Sequence, residues 1–175
     1  KPIPIIVEKC IEYLEKRGLD TEGIYRKSGS ASRVKELREA FDSGPDPDLD
    51  LSEYDVHDVA GLLKLFLREL PEPLITFELY EEFIEAAKLE DEEERLRALR
   101  ELLSLLPPAN RATLRYLLAH LNRVAEHSEE NKMTARNLAI VFGPTLLRPP
   151  DGESASLKDI RHQNKVVEFL IENAD

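Results

Sequence analysis

The sequence predicts an all-α fold in one domain over residues 1–175, with about eight helices around one core and the longer ones packed as a bundle. Three observations carry this. Leucine fills 28 of the 175 positions, and the apolar residues recur at intervals of three and four, the spacing that lines one face of a helix. Strand-like alternation of apolar and polar residues is nearly absent. The length suits a single domain, which at this size buries roughly 70% of its extended surface and needs neither disulfide nor structural metal.

Each element follows from local chemistry. Pro4 suits a first helical turn, Ile6, Val7, Cys10, Ile11 and Leu14 form one stripe behind it, and Gly18 ends the helix. Residues 20–29 show no periodicity. Ser30 caps a short helix marked by Val34, Leu37 and Phe41, and residues 43–52, with Gly44, Pro45 and Pro47, read as a loop. Asp55 opens a helix with Val56, Val59, Ala60, Leu63, Phe66, Leu67 and Leu70 on one face, and Pro71 stops it. Leu62 and Leu65 fall outside that stripe, so this helix is predicted to be central and covered on more than one side.

Thr76 caps the next helix, which uses Phe77, Tyr80, Phe83, Ile84 and Ala87. Asp91 and Glu94 make a capping-box-like start for Leu96, Leu99, Leu102, Leu103 and Leu106, broken by Pro107 and Pro108. The longest pattern covers residues 110–127, with Leu114, Leu117, Leu118, Leu121, Val124 and Ala125 inward. Thr134 caps a short helix that ends at Gly143 and Pro144, the Asp151-Gly152 dipeptide marks a loop, and Ser156 starts the last helix.

Composition excludes several function classes. The balance of 24 basic against 35 acidic residues gives −11, the wrong sign for a nonspecific binder of nucleic acid or anionic membrane. No run of 18 apolar residues exists, and Lys1-Pro2-Ile3-Pro4 carries no secretory h-region, so neither a spanning segment nor a signal peptide is expected. The single cysteine, Cys10, points to a reducing, cytoplasmic setting. Nothing in the sequence demands more than a monomer.

The search for self-sufficient chemistry finds little. Cys10 sits on an apolar stripe, where a thiol is inert. His57, His120, His127 and His162 lack metal-ligand spacing and read as surface or edge residues, and no metal site is expected. The acidic run at residues 90–94 lacks the alternating ligands of a calcium loop and reads as a solvated helix start. No phosphate-cradling glycine motif is present, so no nucleotide cofactor is expected.

Two places resist that bland reading. In Gly23-Ile24-Tyr25-Arg26-Lys27-Ser28-Gly29, Ile24 and Tyr25 can anchor the loop on the core while Arg26 projects outward on a short tether. On the residues alone, Arg26 capping carbonyls at a helix end is the more ordinary role. In the helix after Asp55, Lys64 and Arg68 fall near 100° and 140° from Leu63, beside Gly61 near 160°, at about 100° per residue. That places two cations one turn apart next to a residue with no side chain. The result is either a basic ridge open to a partner or an ordinary solvated pair.

Taken together, Glu22-Gly23-Ile24-Tyr25-Arg26-Lys27-Ser28-Gly29, the run from Leu63-Lys64-Leu65-Phe66-Leu67-Arg68 to Pro73-Leu74, and Asn137-Leu138-Ala139-Ile140-Val141-Phe142-Gly143-Pro144 resemble the RhoGAP family, domains that accelerate GTP hydrolysis by Rho-type small GTPases. The resemblance covers essentially the whole chain. It implies an all-helical fold with a four-helix-bundle core, no cofactor of its own, and a shallow face that docks on GTPases of the Rho, Rac and Cdc42 classes, whose GTP and Mg belong to the partner. Arg26 matches the catalytic arginine finger. Lys64 and Arg68 match the basic pair that supports the finger loop and contacts the partner, Asn137 matches a polar contact residue, and Pro144 would shape the loop edging the same surface. The near absence of idiosyncratic stretches reads as a consensus-like or engineered chain. The competing readings are a catalytically silent interaction module of the same shape and an inert consensus-designed scaffold.

Overall fold

The computed structural model describes residues 2–44, 49–150 and 156–174 of the chain. Among these residues there are nine helices and no strand: α1 (Ile5–Arg17), α2 (Ala31–Asp42), α3 (Val56–Arg68), α4 (Tyr80–Ala87), α5 (Glu92–Leu105), α6 (Pro108–Glu126), α7 (Ser128–Asn131), α8 (Ala135–Leu146) and α9 (Leu157–Glu172). Most starts are made by the residue types the sequence offers. Ser30, Asp91, Thr134 and Ser156 each accept a hydrogen bond from the backbone N–H three residues on. Pro107 and Pro108 end α5 and begin α6, because a proline in the first turn gives up an N–H that would have no intrahelical partner.

The ninth helix is α7, a single turn too short to show periodicity. Thr76 makes no side-chain cap. It precedes a 3₁₀ turn, Phe77–Leu79, that leads into α4. Within the segment expected to be a loop, Asp50 caps a second 3₁₀ turn, Leu51–Glu53, by accepting from the Ser52 N–H at 2.9 Å. The Pro45 and Pro47 part of that segment and the expected loop at Asp151 and Gly152 lie outside the described residues.

Packing yields the expected bundle. α1 packs on α3 and α6, and α8 packs on the same two, so α1, α3, α8 and α6 close a four-helix ring. Val7, Leu14, Leu63, Leu67, Leu117, Leu121, Leu138 and Phe142 fill it, all essentially without solvent exposure. Each buried side chain of this size contributes roughly 1.5–3 kcal/mol. α9 lies along α8 and α6 and carries α4, to which α5 is attached, while α2 packs on α3. Leu62 is buried and Leu65 half-buried, in agreement with a central α3 covered by α1, α2 and α8. Close contact between α8 and α9 depends on Gly143, because a Cβ there would collide with the Asn164 side chain.

Candidate functional site

The aperiodic stretch at residues 20–29 is a loop pinned at three points. At its entrance the buried Asn131 donates to the Leu19 carbonyl at 2.7 Å, and the Asn131 carbonyl accepts from the Gly23 N–H at 2.8 Å. At its exit the buried Asp58 carboxylate accepts from the Ser30 N–H at 2.7 Å with one oxygen and from the Asp55 N–H at 3.2 Å with the other. Gly29 lies so close to the α3 N-terminus that a Cβ would sit 2.6 Å from both Asp58 Oδ1 and the His57 carbonyl.

The middle point is Tyr25, whose φ of 72° puts a non-glycine residue in the left-handed region. Its ring is fully buried, edge-on to Phe142 and His120, and its hydroxyl lies 2.6 Å from His120 Nε2. Its carbonyl accepts a 2.6 Å hydrogen bond from the Lys64 ammonium. The Arg26 and Lys27 N–H groups both turn back onto the Gly23 carbonyl. Ile24 and Tyr25 thus anchor the loop, as the sequence suggests. Arg26 is exposed, and its guanidinium has no hydrogen bond or ion pair among the described residues, which removes the carbonyl-capping role.

His120 is a correction to the sequence reading. It is completely buried and not a surface or edge residue, because the polar partners that make burial tolerable come from distant segments. Its Nδ1 lies 2.8 Å from Glu15 Oε2, an oxygen that also accepts from the Arg123 guanidinium at 2.8 Å. Burial pushes the His120 imidazole below its ordinary value, against the pull of Glu15. Burial also raises the Glu15 carboxyl, but the hydrogen bonds from His120 and Arg123 outweigh it and leave the group below the usual range. The arrangement is that of a neutral imidazole with Nδ1–H donating to Glu15 and Nε2 accepting from Tyr25, whose phenol burial holds well above its normal pKa.

Lys64 and Arg68 come together beside the loop. With Lys35 and Arg38 of α2 they line a groove that includes Ser28, Gly29 and Gly61 and has no acidic residue in its wall. Burial, with Arg68 nearby, lowers the Lys64 ammonium below its usual value. Arg38 is paired with Glu69 at 2.7 Å, whereas Arg68 is exposed. The basic ridge is therefore wider than the two residues read from α3, because α2 supplies half of it.

Asn137 occupies the third position of α8 and completes a capping box. Its Oδ1 accepts from the Thr134 N–H at 3.2 Å and the Thr134 hydroxyl at 2.8 Å. Its carboxamide N–H₂ has no hydrogen-bond partner among the described residues. Pro144 does not shape a loop. It lies inside α8, which runs on to Leu146, because an exposed proline one turn from the end removes only the hydrogen bond to the Ile140 carbonyl. Asn137, Ile140 and Pro144 follow one another at i, i+3 and i+7, and Ile140 is 53% exposed. Nothing in the apolar pattern separates this outward isoleucine from the inward ones.

Other chemistry is scarce. Burial pushes the Cys10 thiol up to about 12, so it is inert at neutral pH. Asp20, His127 and Glu130 bring ligand atoms within 4.8 Å of one another, and the imidazole Nδ1 is hydrogen-bonded to Asp20 at 2.9 Å. No described helix is long and apolar enough to cross a membrane.

Comparison with known proteins points the same way as the geometry. The RhoGAP domain family model matches residues 4–151. Human N-chimaerin is 50% identical over 98% of this chain and 38% of its own length, and mouse Rho GTPase-activating protein 27 is 48% identical over 97% of this chain and 20% of its own. The chain thus spans less than half the length of either relative. Among solved structures, human Rho GTPase activating protein 15 superposes with a TM-score of 0.92 at 40% identity over 98% of this chain and 82% of that one. The BH domain from Graf, a GTPase regulator associated with focal adhesion kinase, gives 0.88 at 42% identity over 97% and 90%. A pinned loop with one outward arginine, a basic groove beside it and a family match over most of the sequence lead to one conclusion: the chain belongs to the RhoGAP domain family.

Proposed function

We propose that this domain docks on a Rho-type small GTPase and inserts Arg26 into the partner's nucleotide site, where the guanidinium stabilises charge developing on the γ-phosphate. The observation that carries the reading is a contrast within the loop: Tyr25 is held at its ring hydroxyl and its carbonyl and the Arg26 backbone N–H is bonded to Gly23, whereas the Arg26 side chain is exposed and has no partner among the described residues. A loop of that kind has already lost its entropy of ordering, so the charge is presented without reorganisation at the moment of reaction. Arginine suits the task because its planar fork stays charged and bonds two oxygens at once. The domain contributes no nucleotide or metal site to this reaction. GTP and Mg belong to the GTPase, and the domain is an activator and not an enzyme by itself.

Docking falls to the surface around the loop. The groove lined by Lys35, Arg38, Lys64 and Arg68 offers a local basic surface on a chain of net charge −11, favouring an acidic patch on the partner and making association sensitive to salt. Asn137, Ile140 and Pro144 add a small mixed strip. Single-turnover GTP hydrolysis by a panel of Rho-type GTPases tests the reading. The domain should accelerate at least one of them by about 10³-fold or more, and Arg26→Ala should abolish most of that gain while leaving the dissociation constant largely unchanged. Equal losses in rate and binding would reject Arg26 as the finger.

A further inference from the structure

We propose that Glu15 and His120 are positioning residues for the finger: through the Tyr25 hydroxyl they hold the loop in the one conformation that presents Arg26, and so govern the maximal stimulated rate and not affinity. The inference rests on Arg26 being the finger.

The problem the relay solves is conformational. Tyr25 immediately precedes Arg26 and sits at φ 72°, a region that tyrosine rarely occupies. Relaxation of that residue to an extended conformation would redirect the peptide that follows and turn Arg26 away from its outward course. Such a conformation persists only where surroundings over-determine it. The Lys64 hydrogen bond fixes the Tyr25 carbonyl from the groove side. The hydroxyl is fixed from the opposite, buried side by His120 Nε2, 95 residues away in sequence.

The direction of that second bond follows from the tautomer, and Glu15 selects it, because a carboxylate can only accept. With Nδ1–H donating to Glu15 Oε2 at 2.8 Å, the remaining ring nitrogen carries the lone pair. Glu15 is itself oriented by the Arg123 guanidinium. None of Glu15, His120 or Arg123 lines the basic groove, so the relay acts on the catalytic loop from behind. Its influence should reach the rate through the fraction of complexes whose finger is correctly placed, leaving the docking surface intact.

The test separates rate from affinity, using a GTP-loaded Rho-type GTPase that the wild-type domain stimulates. Tyr25→Phe keeps the ring and removes only the hydroxyl. Its maximal single-turnover rate should fall about fivefold, the effect of losing one buried hydrogen bond, with the half-saturating concentration within about twofold of wild type. The Arg26 and Lys27 amides, which bond the Gly23 carbonyl, should exchange faster. Glu15→Ala should lower the rate in the same way, while Glu15→Gln, whose amide oxygen still accepts from Nδ1–H, should restore most of it. Should Tyr25→Phe not fold, the Glu15 pair at the half-buried end of the relay gives the same readout. As a control, Phe83→Leu, a core lesion in α4, should lower the melting temperature without changing the maximal rate. Maximal rates within about twofold of wild type in both Tyr25→Phe and Glu15→Ala, with unchanged amide exchange, would overturn the inference. So would a loss confined to the half-saturating concentration. A wild-type domain that accelerates no GTPase would sink the finger reading itself, and this inference with it.

Discussion

Replacing Gly29 with alanine tests how tightly the finger loop is sewn to α3. The added Cβ would lie 2.6 Å from Asp58 Oδ1, 2.6 Å from the His57 carbonyl and 2.7 Å from Asp58 Cα. Non-bonded carbon contacts settle near 3.5–4.0 Å, so something must move by close to 1 Å. Rotating a flexible side chain will not relieve the clash, because two of the three atoms belong to the backbone of the first turn of α3. The cheapest escape lifts the loop away and breaks the hydrogen bond from the Ser30 N–H to the Asp58 carboxylate, now 2.7 Å. Losing a buried hydrogen bond to a charged group costs about 1.5–3 kcal/mol, and the residual overpacking costs about 1–3 kcal/mol. A total of about 2.5–6 kcal/mol follows. For a domain of this length it corresponds to a fall in melting temperature of the order of 10 °C. Urea titration read by circular dichroism measures it. A second arm uses Asp58→Ala: removing the carboxylate relieves one of the three contacts, so the double variant should be more stable than the sum of the single effects predicts, by at least about 1 kcal/mol. A loss under about 1 kcal/mol for Gly29→Ala, or strict additivity in the cycle, would refute the claim that this contact is what closes the loop.

Further outcomes follow from the same network. Lys64→Met leaves the Tyr25 carbonyl without its donor and should cost about 1.5–3 kcal/mol of stability in urea titrations together with a drop in the maximal stimulated rate, whereas a change in affinity alone would assign Lys64 to docking only. Asn137 serves two ends, so Asn137→Ala should both weaken complex formation and lose about 0.5–2 kcal/mol of stability. Asn137→Asp keeps the acceptor that Thr134 uses and should retain stability while still weakening the complex, and an unchanged dissociation constant in both variants would remove Asn137 from the interface. Acidification should destabilise the fold in two stages. The folded His120 pKa lies below its unfolded value, so the unfolded chain binds more protons and stability falls as pH drops below about 6.5. Glu15, held low in the fold, adds a further loss below about pH 4.5. The groups facing His120 are Glu15, Arg123, Tyr25 and, behind Tyr25, Cys10. Unfolding free energies that stay flat from pH 7.5 to 5.5 would contradict a neutral buried imidazole.

Much of the molecule was open to reading from the residues alone. Helix starts at Ser30, Asp91, Thr134 and Ser156 depend on a side chain bonding three residues away, and stops at Pro71 and Pro107 depend on a missing N–H. Both are local chemistry that needs no tertiary information. The inward stripes followed from helical periodicity, and the central place of α3 from apolar residues that overflow one stripe. The outward course of Arg26 was legible as one of two roles.

The remainder was decided only when distant segments met. No periodicity marks α7, a one-turn helix whose Asn131 fixes the loop entrance across more than 100 residues. Apolar patterning treats Ile140 and its inward neighbours alike, and only the packing of α8 on α9 leaves Ile140 in solvent. His120 looked peripheral because a lone histidine between apolar positions carries no local sign of its partners. Those partners, Glu15 from α1 and Tyr25 from the loop, lie 105 and 95 residues away. Hydrogen bonds of that separation leave no spacing signature, because their geometry is set by how whole helices pack and not by the rise and turn of any one of them.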